Sequence, residues 1–408
     1  MFTNQDVKNA HQSFQGIIAQ TPCLFSPYFS ALLDANVYLK LENMHRTGSF
    51  KERGALNFLL KNRHLKHVVT ASAGNHAQAV ALQAGRLGIK ATIFMPEGTP
   101  NTKILETEKL KAEVRLLGQS YDEAYNAARE FAETNRAGYL HAYNDRDVIC
   151  GQATVALEML QQVKNPDIIF CPVGGGGLLS GIAQYIANDA ERKPKIVGVE
   201  AVEFQSMAQA LDKGKKVLNT GSKTIAEGIA VRNVGGLTQE ICMRYRPEFV
   251  AVNDQEIQKA LMLLLERQKI VAEGAGAASL AAMLMPKNRL ISKGKTVVCI
   301  VSGGNIDISL LARLTAHELV KSSRLCRMSL VIKDCPGSLS RLLQEVTKVL
   351  ANIVDIRHER SFVDIKWNEV LVDLTIETKD EDHENRMLKA LADQGYVIDR
   401  HERESGRV

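Results

Sequence analysis

From about residue 36 to residue 320, short apolar runs alternate with longer stretches whose apolar positions recur at helical spacing. Val37-Tyr38-Leu39-Lys40-Leu41-Glu42 reads as a strand, and residues 51–62 as a helix. Val68-Val69-Thr70 is the next strand, followed by a helix over 76–87. Ala91-Thr92-Ile93-Phe94-Met95 is another, stopped by Pro96 and Gly98. Strands are also expected at 114–117, 168–170, 196–199 and 297–301. Apolar strands separated by helices require crossover connections, hence parallel sheets covered on both faces. The expected fold class is α/β.

After about residue 320 the texture changes. Met328, Leu330 and Ile332 alternate like a half-buried strand, and Asp334-Cys335-Pro336-Gly337-Ser338 makes a turn with a helix N-cap. Leu339, Leu342, Leu343, Val346, Val349 and Leu350 follow at helical spacing, then a short strand at 353–358. Val370, Val372, Leu374 and Ile376 have period two; a helix containing Met387, Leu388 and Leu391 ends at Gly395, and Tyr396-Val397-Ile398 is a last strand. This βαββαβ order describes a separate α+β module at 325–408, beyond a boundary at the polar Lys321-Ser322-Ser323-Arg324.

A chain of 408 residues suggests two or three domains, and 45% hydrophobic with 24% charged content is that of a globular protein. The net charge of +5 comes from 51 basic and 46 acidic residues spread along the chain, and with aromatics at only 5% no base-stacking platform is expected. Nucleic acid is therefore not an expected partner. Seven cysteines, at 23, 150, 171, 242, 299, 326 and 335, never form a CxxC pair and read as reduced core thiols. The ten histidines form no HExxH, so no metal site is expected. The N-terminus has no basic-then-apolar leader, and no apolar run approaches the roughly 18 residues of a membrane span. A cytoplasmic protein without membrane contact is expected.

Four loops, each following a strand, carry candidate chemistry; in parallel sheets such strand ends face the ligand crevice. Pro172-Val173-Gly174-Gly175-Gly176-Gly177-Leu178-Leu179-Ser180-Gly181 can turn several backbone N–H groups toward an anion at the positive end of a helix. It fails the dinucleotide fingerprint, because Leu179 stands where a third glycine is needed, and it lacks the Gly-Lys-Ser/Thr of a nucleotide loop. A monophosphate suits it; the plain alternative is a tight strand-to-helix turn. In Thr47-Gly48-Ser49-Phe50-Lys51-Glu52, a lysine at a helix start is either an exposed charge or an amine with a depressed pKa, free to attack a carbonyl. In Ser72-Ala73-Gly74-Asn75-His76, small residues can hold a carboxylate through N–H groups, while Asn75 binds a phenolic oxygen. Alternatively Asn75 is a helix cap and His76 a structural histidine. Val301-Ser302-Gly303-Gly304-Asn305 is the fourth loop.

Together these loops resemble those of fold-type II (tryptophan-synthase-β-like) pyridoxal-phosphate enzymes, close to the threonine ammonia-lyases and serine racemases, over residues 5–320. The resemblance implies two parallel-sheet subdomains within 1–320, the smaller at about 45–145. It implies pyridoxal phosphate carried on Lys51, with Phe50 against its ring, Asn75 at the ring 3-oxygen, Gly174, Gly175, Gly176, Gly177 and Leu178 around its phosphate, and Ser302 at the pyridine nitrogen. Ser72, Ala73, Gly74, Asn75 and His76 would hold the substrate carboxylate, and Glu273 matches a family acidic residue near the cofactor, although a helix N-terminal glutamate explains it nearly as well. The last module resembles an ACT domain, which implies an amino-acid effector at Asp334, Pro336, Gly337, Ser338 and Leu339, the plain alternative being a structural or vestigial appendage, and a homo-oligomer, expected to be a tetramer.

The implied reaction converts L-threonine to 2-oxobutanoate and ammonia, with L-serine as a further substrate. Lys51 would take the Cα proton and the Cβ hydroxyl would leave. A hydroxyl at Ser302 would not keep the pyridine nitrogen protonated, which favours prompt β-elimination over transamination. Racemases of this type carry a second serine where this chain has Ala73, which has no proton to give, so efficient racemisation is not expected. Phe204 and Ser206 replace further oxygen ligands near Glu200, so no divalent-metal site is expected there. The rival readings are a serine-preferring deaminase, a β-replacement synthase, a non-catalytic amino-acid sensor and, weakened by the broken glycine fingerprint, a nicotinamide dehydrogenase.

Overall fold

The computed structural model describes residues 1–189, 193–215, 217–361 and 365–400. The chain divides into two units, Met1–Ile306 and Asp307–Val408.

In the first unit, strands β1 (Cys23–Phe25) and β2 (Asn36–Leu41) begin one sheet. The chain then leaves it for β3 (His67–Ala71), β4 (Lys90–Met95), β5 (Glu113–Leu116) and β6 (Gly138–Tyr139), an all-parallel sheet in the order β5-β4-β3-β6. It returns with β7 (Ile168–Pro172), β8 (Lys195–Ala201), β9 (Glu248–Val252) and β10 (Thr296–Val301), and the larger sheet runs β1-β2-β10-β7-β8-β9. Only β1 is antiparallel to its neighbour. β7 is buried at every position and β10 at all but its first, as strands covered on both faces must be. β1, β6 and β9 were not expected from the sequence. The first two are too short to show a period, and β9 is a partly exposed edge.

The helix Arg146–Gln162 is buried almost continuously from Val148 to Leu160 and packs between the helices Lys51–Lys61 and Gly177–Ala187. Beneath the first turn of Lys51–Lys61 lies a fully enclosed charge network. Arg53 grips Glu42 through Nε (2.7 Å) and Nη2 (2.9 Å), and Glu158 through Nη1 (2.6 Å) and Nη2 (2.7 Å). Lys40 Nζ also donates to Glu158, at 2.7 Å, and His45 Nε2 lies 3.1 Å from Glu42. Lys40, Glu42 and Arg53 are each 0% exposed. Alternation with Leu39 and Leu41 would place Lys40 on a solvent face; the long helix covers that face instead.

In the second unit, β11 (Leu325–Lys333), β12 (Asn352–Glu359), β13 (Glu369–Glu377) and β14 (Ile398–Arg400) pair antiparallel in the order β12-β13-β11-β14. The helices Ser338–Lys348 and Glu381–Asp393 supply Leu342, Val346, Met387 and Leu391 to a core shared with Met328, Leu330, Val372 and Leu374. Three features differ from the sequence reading. The last strand is 398–400 rather than 396–398, and residues 401–408 lie outside the described residues. The helix begins at Ser338 behind Gly337, whose φ of 84° supplies the turn, and Ser338 Oγ contacts Cys335 and Arg341 instead of capping. The helix Ile308–Lys321, placed by sequence before the boundary, falls in this second unit. All seven cysteines are free; five are buried, but Cys335 is exposed, because its turn lies on the surface. No helix among the described residues is long and apolar enough to cross a membrane.

Candidate active site

Lys51 is the first residue of its helix. The loop before it is pinned to the loop after β10: Phe50 N–H donates to the Ser302 carbonyl (3.1 Å), and Ser49 pairs with Gly303 as an isolated bridge. The Lys51 amine lies 5.2 Å from the Phe50 ring centroid and donates to the Ala142 carbonyl at 2.9 Å. Removal from water lowers its pKa from 10.5 to about 8, with Glu273 opposing the shift. Burial in turn raises Glu273 to about 7, against the hydrogen bond from Asn75. An amine and a carboxyl are thereby both poised to change protonation near neutral pH.

Asn75 also begins a helix, yet its side chain does not cap it: Nδ2 donates to Glu273 at 2.6 Å, and Oδ1 accepts from Asn305 at 2.8 Å. Glu273 likewise forms no cap bond, so contact with Asn75 rather than helix-end placement accounts for its carboxyl. Ser302 is buried, with Oγ 3.4 Å from the Ala275 carbonyl. His76 is buried too; its Nε2 faces the Leu140 carbonyl at 3.2 Å, and desolvation followed by the Lys51 charge pushes its pKa down to about 3, so the ring is neutral. Gly74 N–H is taken by Ser72 Oγ, whereas the N–H groups of Ala73, Asn75 and His76 donate to nothing among the described residues.

The tetraglycine turn follows β7. Gly176 has φ of 91°, Gly177 opens the helix Gly177–Ala187, and among the described residues the N–H groups of 174–178 have no acceptor. The turn rests on Tyr143: a Cβ on Gly175 would lie 2.3 Å from that ring, which is held by its hydroxyl donating to the Asn233 carbonyl at 2.9 Å. His141 Nδ1 accepts from the N–H groups of Tyr143 (3.2 Å) and Asn144 (3.0 Å), and Asn144 Oδ1 accepts from Leu237 N–H (2.9 Å). Residues 141–144 thus tie the glycine turn to the amine of Lys51. Sequence reading missed this segment. Its one signal is the dense polar and aromatic run His141-Ala142-Tyr143-Asn144-Asp145 after a strand end.

Glu200 lies behind the glycine turn, through Met207, whose Cε a Cβ on Gly176 would approach to 2.4 Å. Its carboxylate accepts from the N–H groups of Met207 (2.7 Å) and Ala208 (3.0 Å), while Ser206 Oγ donates to the Val231 carbonyl. Phe204 is buried.

A family profile described as "Pyridoxal-phosphate dependent enzyme" matches residues 14–303. The chain belongs to this family. It is 40% identical over 401 residues to an L-threonine ammonia-lyase of Thermotoga maritima, spanning 98% of this chain and 99% of that protein. An L-threonine ammonia-lyase of Geobacter sulfurreducens is 39% identical, over 96% and 98%. Among solved structures, the processed form of threonine deaminase isoform 2 from Solanum lycopersicum superposes with a TM-score of 0.73 at 34% identity, covering 76% of this chain and 87% of that one.

The geometry fits the cofactor this pyridoxal-phosphate enzyme uses. The uncommitted N–H groups of 174–178 at a helix start suit a phosphate, and the half-buried amine of Lys51 suits an aldehyde. With a pKa near 8, about a tenth of the Lys51 amine is uncharged at pH 7, against well under about a thousandth at the ordinary value. Uptake of pyridoxal phosphate by the apoprotein is therefore expected to quicken about tenfold per pH unit below pH 8 and level off above it. A midpoint near pH 10 in stopped-flow absorbance would show that desolvation does not govern this amine.

Gly175→Ala forces a methyl group into the Tyr143 ring. The expected cost is about 1–3 kcal/mol, read as weaker cofactor binding in an absorbance titration. The added change Tyr143→Ala should restore much of it, and no recovery would place the defect elsewhere.

Proposed function

We propose that this pyridoxal-phosphate enzyme deaminates L-threonine to 2-oxobutanoate and ammonia, and acts on L-serine to give pyruvate. One observation carries the reading: likeness to two L-threonine ammonia-lyases extends over almost the whole chain, second unit included. The cofactor supplies the sink for the electron pair left when the Cα–H bond breaks. Lys51 Nζ receives that proton, and the Ala142 carbonyl 2.9 Å away holds the resulting ammonium. The free N–H groups of Ala73, Asn75 and His76 are assigned to the substrate carboxylate, and those of 174–178 to the phosphate. Glu273, with its pKa near 7, is placed to exchange a proton beside Asn75. The hydroxyl leaves Cβ with the proton that Lys51 Nζ took from Cα, departing as water and restoring the free amine, and the released enamine takes water back to give the 2-oxo acid and ammonium.

In the second unit, we assign an amino-acid effector to the turn of Asp334, Pro336, Gly337, Ser338 and Leu339. There Asp334 holds Arg360 through two bonds of 2.8 and 3.0 Å, a pair an incoming ammonium group would compete with. A cytoplasmic homotetramer completes the reading. The test is 2-oxo acid release from threonine, serine and O-acetylserine with sulfide, each with and without branched-chain amino acids. Preference for the last substrate pair would replace this reading by β-replacement.

A further inference from the structure

The amide of Asn75 is nearly symmetric in shape, so its hydrogen bonds alone decide which end faces which neighbour. Those bonds can be traced from a fixed point. The Thr47 carbonyl can only accept, and the Asn305 side-chain nitrogen lies 2.6 Å from it, so Asn305 must present its NH2 there. The same NH2 reaches Asn75 at 2.8 Å and needs an acceptor, so Asn75 turns its oxygen to Asn305. The NH2 of Asn75 is thereby sent to the opposite side, where one hydrogen meets Glu273 at 2.6 Å and the second remains to be given.

Backbone pairing fixes where this relay starts. Gly304 N–H donates to the Gly48 carbonyl at 2.9 Å, beside the Ser49–Gly303 bridge, so the loop bearing Asn305 is stitched to the loop bearing Lys51. Gly48, with φ of 67°, makes room: a Cβ there would lie 2.3 Å from Asn305 Oδ1.

We infer that Asn305 is a positioning residue which, anchored on the Thr47 carbonyl, sets the orientation of Asn75 so that an N–H, and not a carbonyl, is offered to the ring oxygen of the cofactor. This rests on the assignment of Asn75 to that oxygen. Turning Asn75 over would set NH2 against NH2 at Asn305 and carbonyl against carboxyl at Glu273, and would aim a lone pair at an oxyanion.

The test uses holoenzyme carrying Asn305→Asp, Asn305→Ala, Asn75→Ala and the double variant Asn75→Ala/Asn305→Asp. Aspartate keeps the shape but offers only oxygens, so it repels the Thr47 carbonyl and draws the Asn75 NH2 toward itself. Expected are a shifted absorbance band of the bound cofactor, a moved pH midpoint of that band, and a dissociation constant raised about tenfold, the equivalent of about 1.4 kcal/mol. Asn305→Ala, which frees Asn75 to sample both orientations, should change the same quantities less. The double variant should match Asn75→Ala alone, whereas a merely structural Asn305 would add its own effect. If Asn75→Ala moves band and affinity while Asn305→Asp and Asn305→Ala leave both at wild-type values, the inference is overturned. If Asn75→Ala itself moves neither, the fault lies in the assignment of Asn75, and the inference falls with it.

Discussion

Lys51→Ala lowers threonine deamination by about 10⁴-fold or more and leaves no cofactor covalently attached after borohydride treatment. In the proposed reaction the side chain serves twice: it holds the aldehyde between turnovers, and it receives the Cα proton during one. The enclosure that lowers its pKa to about 8 suits both tasks, since an amine of ordinary basicity would stay charged. Neither neighbour matches it: His76, with its pKa pushed down to about 3, binds a proton too weakly to serve as the base, and Glu273, whose carboxyl accepts from Asn75, has no amine to hold an aldehyde. Fold and phosphate binding should survive, because truncation removes a single hydrogen bond to Ala142. The variant should therefore still bind pyridoxal phosphate noncovalently, with the spectrum of a free aldehyde. Deamination within tenfold of wild type would sink the assignment of Lys51.

The second large effect concerns folding. Arg53→Met should destabilise the protein by about 3–5 kcal/mol, seen as a lower urea midpoint at unchanged slope. The guanidinium is satisfied on every side, by Glu42, Glu158, Thr154 and Thr21. Burial would raise the Glu42 carboxyl, but Arg53 and His45 overcome this and hold it well below the usual carboxylate range. At Glu158 the same contest, won by bonds from His11 and Arg53 and by the Lys40 charge, ends at about 2. Without Arg53, two enclosed carboxylates share Lys40 as their one permanent cation, with only His45 left beside Glu42 and His11 beside Glu158. Adding Glu42→Gln and Glu158→Gln should recover much of the loss, because the cost arises from unpaired buried charge rather than from packing. A loss below about 1 kcal/mol would mean that water reaches the network, as at exposed ion pairs.

What the sequence disclosed followed from residue type and period. β7 and β10 were legible as strands because every position is apolar or nearly so, and β13 because Val370, Val372, Leu374 and Ile376 alternate cleanly. The four loops announced themselves through small residues beside Lys51, Asn75 and Ser302. What stayed hidden depends on partners distant in sequence. The acceptor for Lys51 is a backbone carbonyl, which any residue at 142 would supply, so composition cannot reveal it. Nothing local to Arg53 shows that Glu42 and Glu158 come from two other elements to enclose it. Asn305 lies in the fourth loop, but its inferred task depends on the Thr47 carbonyl, 258 positions away, so the loop sequence alone does not show it.

The strand order has a mechanical corollary. Among the described residues, the chain crosses between the two sheets of the first unit only twice, after β2 and after β6. One crossing bears the Lys51 nitrogen and the other the Ala142 oxygen it leans on, 91 positions apart along the chain. Any swing of the smaller sheet about the larger must turn on these two covalent hinges, so such a movement would shift the Lys51 amine against the carbonyl that holds it.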